Sequence, residues 1–181
     1  MKRLERRFYC RDALDVALGL LNKVLVVDGC RGRIVEVEAY RQDDPASHSR
    51  AGPTPRCRTM FGPAGHLYVY FTYGMHHCAN VVTGEPGDGQ AVLIRAVEPL
   101  TGLEDMRRRR GGVPDTRLVD GPAKVCQAFA LDRRHDGLDL TDHPGAWIGD
   151  DGVEPPTAPG RTRRIGIRLG TELLWRYVVP V

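Results

Sequence analysis

Apolar positions recur along this chain with two different periods. After Asp12, the residues Leu14, Ala17, Leu18 and Leu21 repeat at the spacing of one helical face, and Asp12 offers a side-chain acceptor to the helix's first free amides. Alternation then takes over. Val24 to Val27, a turn through Asp28 and Gly29 to Gly32, and Arg33 to Tyr40 predict a hairpin in which Val35, Val37 and Ala39 face the core. The same period of two puts Glu36, Glu38 and Tyr40 together on the opposite face. Leu67 to Phe71 and Cys78 to Val82 predict a second hairpin with Tyr73-Gly74 at its tip, and Gly84 to Gly89 is a loop before a strand at Ala91 to Ala96. Pro122 to Leu131 predicts a helix with proline in its first turn, where a missing amide proton costs nothing. Arg164 to Arg168 and Trp175 to Val179 supply late strands. Irregularly interspersed helices exclude a regular βαβ alternation. The expected fold is α+β: a single domain over residues 1–181, with a curved, mostly antiparallel β-sheet core, surrounding helices and a protruding β-hairpin.

Composition narrows the function classes. A chain of 181 residues is long enough for one well-filled core, and no linker, repeat or low-complexity tract divides it. No apolar run is long enough to cross a bilayer and the charged N-terminus lacks a signal-like stretch, so no membrane association and a cytoplasmic location are expected. Cysteines 10, 30, 57, 78 and 126 form no Cys-x-x-Cys pair, which points to reduced thiols rather than a disulfide framework or a structural zinc site. Net charge is only +3, yet the only lysines are Lys2, Lys23 and Lys124. Arginine's planar fork suits phosphate oxygens, so this bias is compatible with a nucleic-acid partner, although the base composition of the gene produces the same bias.

The densest chemistry lies between Glu36 and Asn80. Two carboxylates at i and i+2 on one strand face sit roughly 6 to 7 Å apart, a pair that can do acid and base work on a glycosidic bond or simply face solvent. Tyr40 shares their face, and His66, Tyr68 and Tyr70 alternate along the next strand; such rings stack on bases, or serve as ordinary β formers. Tyr73, at a turn and followed by glycine, is awkward to bury and useful as a wedge between base pairs. His48 follows a Pro-Ala-Ser loop. His66, His76, His77 and Cys78 lack the spacing of a zinc motif, so no metal is expected. Arg50, Arg56 and Arg58, and then Arg161, Arg163 and Arg164, form basic clusters able to position a DNA backbone without reading it. Arg107 to Arg110 end a helix, where cations are favourable to its dipole.

The runs "GRIVEVEAY", "DDPASHS", "TPRCRTMFGPAGHLYVYFTYGMHHCANVV", "AVLIRAVEPLTG", "GPAKVCQAF" and "RRIGI" resemble, in order from about residue 11 to residue 177, the successive motifs of the alkyladenine (3-methyladenine) DNA glycosylase family. The resemblance implies that Glu38 activates the attacking water, that Arg95 orients water and carboxylate, and that the backbone around Ile165 closes the same small site. It implies a flipped base held between Tyr40 on one side and His48 with Tyr70 on the other, Tyr73 filling the gap in the duplex, and Asn80 hindering guanine's exocyclic amine. Lys124, at a helix start, and Arg164 are the expected phosphate contacts. The implied enzyme is a monomeric base-excision repair glycosylase acting on double-stranded DNA that carries 3-methyladenine, 7-methylguanine, hypoxanthine or ethenoadenine, with no cofactor and no metal. No lysine lies between Lys23 and Lys124, so the central motifs lack the amine with which strand-nicking glycosylases form a Schiff base, and a monofunctional reaction is expected. Two other classes share parts of the pattern: a carbohydrate glycosidase, and a damage-binding module that does no chemistry.

Overall fold

Asp28 and Gly29 both take positive φ, 44° and 85°, and join β2 (Val24–Val27) to β3 (Cys30–Tyr40) through a two-residue turn with Val27 opposite Cys30. The twist of such a turn matches that of the paired strands. The turn is shorter than the sequence predicts, because Cys30, Arg31 and Gly32 are already in the ladder. The computed structural model describes residues 1–180, and β3 is its spine. One edge of β3 is followed by β6 (Gln90–Thr101); on the other edge β2 covers Cys30 to Arg33 and β9 (Arg176–Val178) takes over at Glu36 to Glu38. Beyond β6 lie β5 (His76–Thr83) and β4 (Leu67–Thr72). Beyond β2 lie β7 (Ala146–Asp150) and β1 (Lys2–Arg3), and β8 (Gly160–Thr162) pairs with β9. Every pairing is antiparallel. With α1 (Arg6–Tyr9), α2 (Ala13–Leu20), α3 (Leu103–Arg109) and α4 (Pro122–Ala128), this is an α+β fold. Among the described residues, no helix is long and apolar enough to cross a membrane.

Several expectations need correction. Ladder irregularities on either side of Glu36 shift the phase of β3, so Ile34 and Val37 both point into the core while Val35 is only partly buried. A bulge inserts one residue against the partner strand and resets which face follows. Asp12 does cap α2, its Oδ1 accepting from Leu14 N at 2.9 Å, but the buried face is Ala13, Val16, Ala17 and Leu20, with Leu14 and Leu18 half-buried beside it. Helix α4 stops at Ala128 rather than Leu131, because Ala130 turns left-handed (φ 55°) and the Leu131 amide returns to Cys126 O at 2.8 Å. Residues 164–168 form no strand. Gly166 has φ 78°, which breaks the extended run, and the Arg164 side chain turns wholly inward.

Helices α2 and α4 cover one face of the sheet, where Val16, Leu20, Val125 and Phe129 join Ile34, Val37, Ala39, Val69, Val81, Val92 and Ile94 in the main core. The other face is available for chemistry. Register pairs Tyr68 with Asn80, Asn80 with Leu93, Leu93 with Glu38, and Glu38 with Arg176, so five strands each contribute one residue to a single row. Residues directly opposite across a ladder project to the same side. This row underlies the candidate site.

Candidate active site

A cavity of about 460 Å³ opens over that row, with Glu38, Tyr40, His48, Tyr70, Asn80, Arg95 and Ile165 among its lining residues. In the structure these seven positions come from four strands and two loops, Ile165 lying in a loop where the sequence predicts a strand, and the fold brings them to one place. Its volume lies in the range of small-molecule sites.

Glu38 is 0% exposed, and a buried carboxylate is tolerated only when its oxygens are held. Oε1 accepts the backbone N–H of Ile165 at 2.8 Å and lies 3.4 Å from Arg95 Nη1. Oε2 accepts the Tyr40 hydroxyl at 2.8 Å. Burial, then the neighbouring Glu38 carboxylate, pushes the Tyr40 phenol well above its usual range, so it stays protonated and donates. Arg95 is fixed from its other side, where Nε donates to Glu36 Oε1 at 2.8 Å. Both sequence-predicted glutamates therefore belong to one charged cluster, but only Glu38 lines the cavity.

The far wall is aromatic. His48 Nδ1 lies 3.0 Å from the Tyr68 hydroxyl, and its ring meets Tyr70 edge-on, with centroids 4.6 Å apart and planes at 77°. His48 is exposed as a residue, yet partial burial of its ring beside Tyr68 and Tyr70, then the charge of Arg56, lowers its pKa to about 4 and keeps the imidazole neutral near pH 7. Burial likewise raises the phenols of Tyr68 and Tyr70. The loop carrying His48 is fastened by the Ser47–Ser49 hydroxyl pair at 2.7 Å and by Ser49 Oγ donating to Gly89 O at 2.6 Å. Asn80 Nδ2 donates to Tyr68 O at 3.1 Å, which orients its amide at the cavity floor.

At the rim stands Tyr73, 82% exposed, in the tip joining β4 to β5. Its φ of 51° is a left-handed conformation costing a non-glycine residue about 1–2 kcal/mol. Strain kept at an exposed aromatic is a mark of use rather than packing.

The two expected phosphate contacts fare differently. Arg164 is not available to a phosphate: its guanidinium has no exposure, forms a two-pronged pair with the equally buried Asp44, donates to Ala39 O at 3.0 Å, and lies over Tyr40 and Trp175 at 4.6 and 5.3 Å. It ties the 44–48 loop to the loop carrying Ile165, and so braces both sides of the cavity. Lys124 is half-buried and paired with Asp120 at 2.7 Å. Of the arginine run at the end of α3, Arg107 pairs with Glu104 and Asp115, while Arg109 donates to Ala128 O at 2.9 Å. Asp44, Arg176 and Thr162 escaped the sequence reading, because each acquires its partner only through long-range folding.

The model of the family described as Methylpurine-DNA glycosylase (MPG) matches residues 7–181. Relatives named "Putative 3-methyladenine DNA glycosylase" include one from Burkholderia lata, 56% identical over 98% of this chain and 87% of its own length. Others come from Carboxydothermus hydrogenoformans, 48% identical over 96% of this chain and 93% of the relative, and from Agrobacterium fabrum, 48% identical over 94% and 85%. The chain belongs to the methylpurine-DNA glycosylase family.

Proposed function

We propose that this chain is a monofunctional DNA glycosylase of base excision repair that hydrolyses the N-glycosidic bond of damaged purines, among them 3-methyladenine, 7-methylguanine, hypoxanthine and ethenoadenine, with a water activated by Glu38. The observation that carries this reading is the buried Glu38 carboxylate, held by Ile165 N–H, Tyr40 O–H and Arg95 under an aromatic-walled cavity. A base inside a duplex cannot reach such a floor. The nucleotide must be extruded, at a cost of a few kcal/mol that is smaller for weakened pairs. Tyr73, at its exposed tip, offsets part of that cost by stacking in the gap. The rings of Tyr40, His48 and Tyr70 then offer π faces to the electron-poor or cationic rings of alkylated purines. Asn80 stands where a purine's exocyclic amine would be tested.

As the bond from C1′ to the base nitrogen breaks, its electron pair leaves with the base and the sugar gains oxocarbenium character. Glu38 stabilises that positive charge and takes a proton from the water whose oxygen bonds to C1′. A cationic alkylated purine leaves neutral, whereas hypoxanthine or ethenoadenine must also gain a proton from solvent; free base and an abasic site result. None of the three lysines lines the cavity: Lys23 is paired with Asp150 at 2.9 Å, Lys124 with Asp120, and Lys2 with Glu5 at 3.2 Å. That supports water as the nucleophile and a strand left intact. Exposed Arg56, Arg58, Arg161 and Arg163 are among the cations available for backbone phosphates, and the proposed site residues all come from one copy of the chain, which supports a monomer.

The test is base release from duplex oligonucleotides carrying one hypoxanthine or ethenoadenine, comparing wild type with Glu38→Gln. Wild type releases base and leaves strands uncut until alkali is added; the variant loses on the order of 10²–10⁴ in rate. Tight lesion binding by wild type with no release from these or from alkylated DNA assigns the chain to damage binding instead.

A further inference from the structure

Strand β3 carries two glutamates on its cavity face, and the reaction uses one as its base. The second is not idle. Glu36 Oε1 accepts from Arg95 Nε at 2.8 Å and from Arg176 Nε at 2.6 Å, with the three side chains 16%, 11% and 20% exposed. Arg176 opens β9, and its Nη1 donates at 2.8 Å to Oγ1 of Thr162, its register partner at the end of β8. Thr162 and Arg176 are thus the two feet of the 163–175 segment, and that segment delivers the Ile165 N–H to Glu38. Arg95, clamped by Glu36 from its other side, approaches the same Glu38 oxygen, Oε1, at 3.4 Å. Both groups that hold Oε1 are therefore braced in part from one carboxylate that does not itself line the cavity, the Ile165 segment being held also by the Arg164–Asp44 pair. Oε2 has only the Tyr40 hydroxyl and keeps a lone pair for a proton.

We propose that Glu36 and Arg176 are positioning residues for base excision: Glu36 sets the angle of Arg95, Arg176 fastens the feet of the Ile165 loop, and together they fix Glu38 Oε1 so that Oε2 faces the water. The proposal rests on Glu38 being the base, as argued above. Two carboxylates and two guanidiniums also balance one another's formal charge beneath the cavity. Because these side chains are mostly buried, removing one partner also costs stability, and the rate is therefore compared with the thermal midpoint. Misplacing a catalytic group by about 1 Å costs on the order of 10²-fold in rate.

The experiment measures single-turnover excision of ethenoadenine from duplex DNA, together with lesion affinity, the ethenoadenine emission that reports unstacking, and the thermal midpoint. The proteins are wild type, Glu36→Gln, Arg176→Gln, the double variant, the milder Thr162→Val, and Glu38→Gln as reference. Glu36→Gln slows excision about 10- to 100-fold, in keeping with a misplaced catalytic group, while affinity and unstacking stay within about twofold. Arg176→Gln slows it less and Thr162→Val least. The double variant falls well short of the product of the singles, as coupled residues do. The proposal is overturned if Glu36→Gln and Arg176→Gln excise at the wild-type rate while Glu38→Gln does not, or if their losses follow affinity or thermal midpoint. Activity retained by Glu38→Gln sinks the underlying reading instead.

Discussion

Replacing Arg164 by methionine separates two roles that one basic residue near a DNA-facing cavity can have. Arg164 and Asp44 are both fully enclosed, and Asp44 has, besides the guanidinium, only the Ala46 amide at 3.0 Å. Removing one partner of a buried ion pair strands the other and costs about 3–5 kcal/mol. Set against a total stability of about 5–15 kcal/mol, that is a large fraction. For a domain of this size about 2–4 °C is lost per kcal/mol, so the midpoint falls by about 6–20 °C. Thermal and urea unfolding of Arg164→Met reads this directly, and the double variant Arg164→Met with Asp44→Leu, which removes both charges, recovers part of the loss. A phosphate contact gives a different signature: near-native stability, and a slope of log affinity against log salt reduced by about one. Arg164→Met unfolding within about 1 kcal/mol of wild type, with that flattened slope, would refute the buried-brace argument.

Two further outcomes follow from the cavity's rim and wall. Tyr73→Ser leaves thermal stability unchanged, since the side chain is 82% exposed and serine keeps the Cβ that strains a φ of 51°, but it weakens lesion extrusion in an ethenoadenine emission titration. The loss is on the order of 1–3 kcal/mol, the value of one stacked aromatic, or about 5- to 150-fold; an unaltered extrusion equilibrium counts against the wedge. For His48, burial first and Arg56 second hold the folded pKa near 4, below the unfolded value of about 6.5. The unfolded chain therefore binds the proton more readily, and this group's contribution to stability is present above pH 6.5 and lost as pH falls toward 4. Nitrogen NMR of the ring shows it neutral from pH 7 down to about 5, and His48→Gln flattens the stability profile in that window; a ring titrating near 6.5 contradicts the assignment.

The hairpins were legible because a period of two survives in sequence whatever lies around it. Asp28-Gly29 and Tyr73-Gly74 mark turns by their own backbone preferences, and Val24–Val27 and Leu67–Thr72 are strands within a residue of the sequence boundaries. The bulge around Glu36 was not legible. Nothing in Ile34-Val35-Glu36 announces an extra residue; it is imposed by the pairing with β6 and by the change of neighbour from β2 to β9 on the opposite edge. The same limit explains residues 164–168, where an arginine and isoleucines separated by glycine imitate an alternating strand, while the conformation is decided by an aspartate 120 residues away.

The candidate site divides along the same line. Glu38 and Tyr40 are fixed relative to each other by strand geometry alone, as are Tyr68 and Tyr70, so sequence spacing was enough to place each pair on one face. What completes the proposed site is contributed from elsewhere: the Ile165 amide reaches Glu38 across 127 residues, Arg176 reaches Glu36 across 140, and Arg164 lies over the Tyr40 ring. A motif can name a carboxylate, but it cannot say which of its two oxygens is occupied. That distinction matters here because a general base needs one free lone pair in a fixed direction, and although Arg95 and Ile165 lie in runs that resemble family motifs, Arg176 and Thr162, which fasten the Ile165 segment, lie in none of them. A substitution at Arg176 or Thr162 is therefore the place where a sequence-based reading sees a harmless change at a sheet edge and the physical reading expects a slower enzyme.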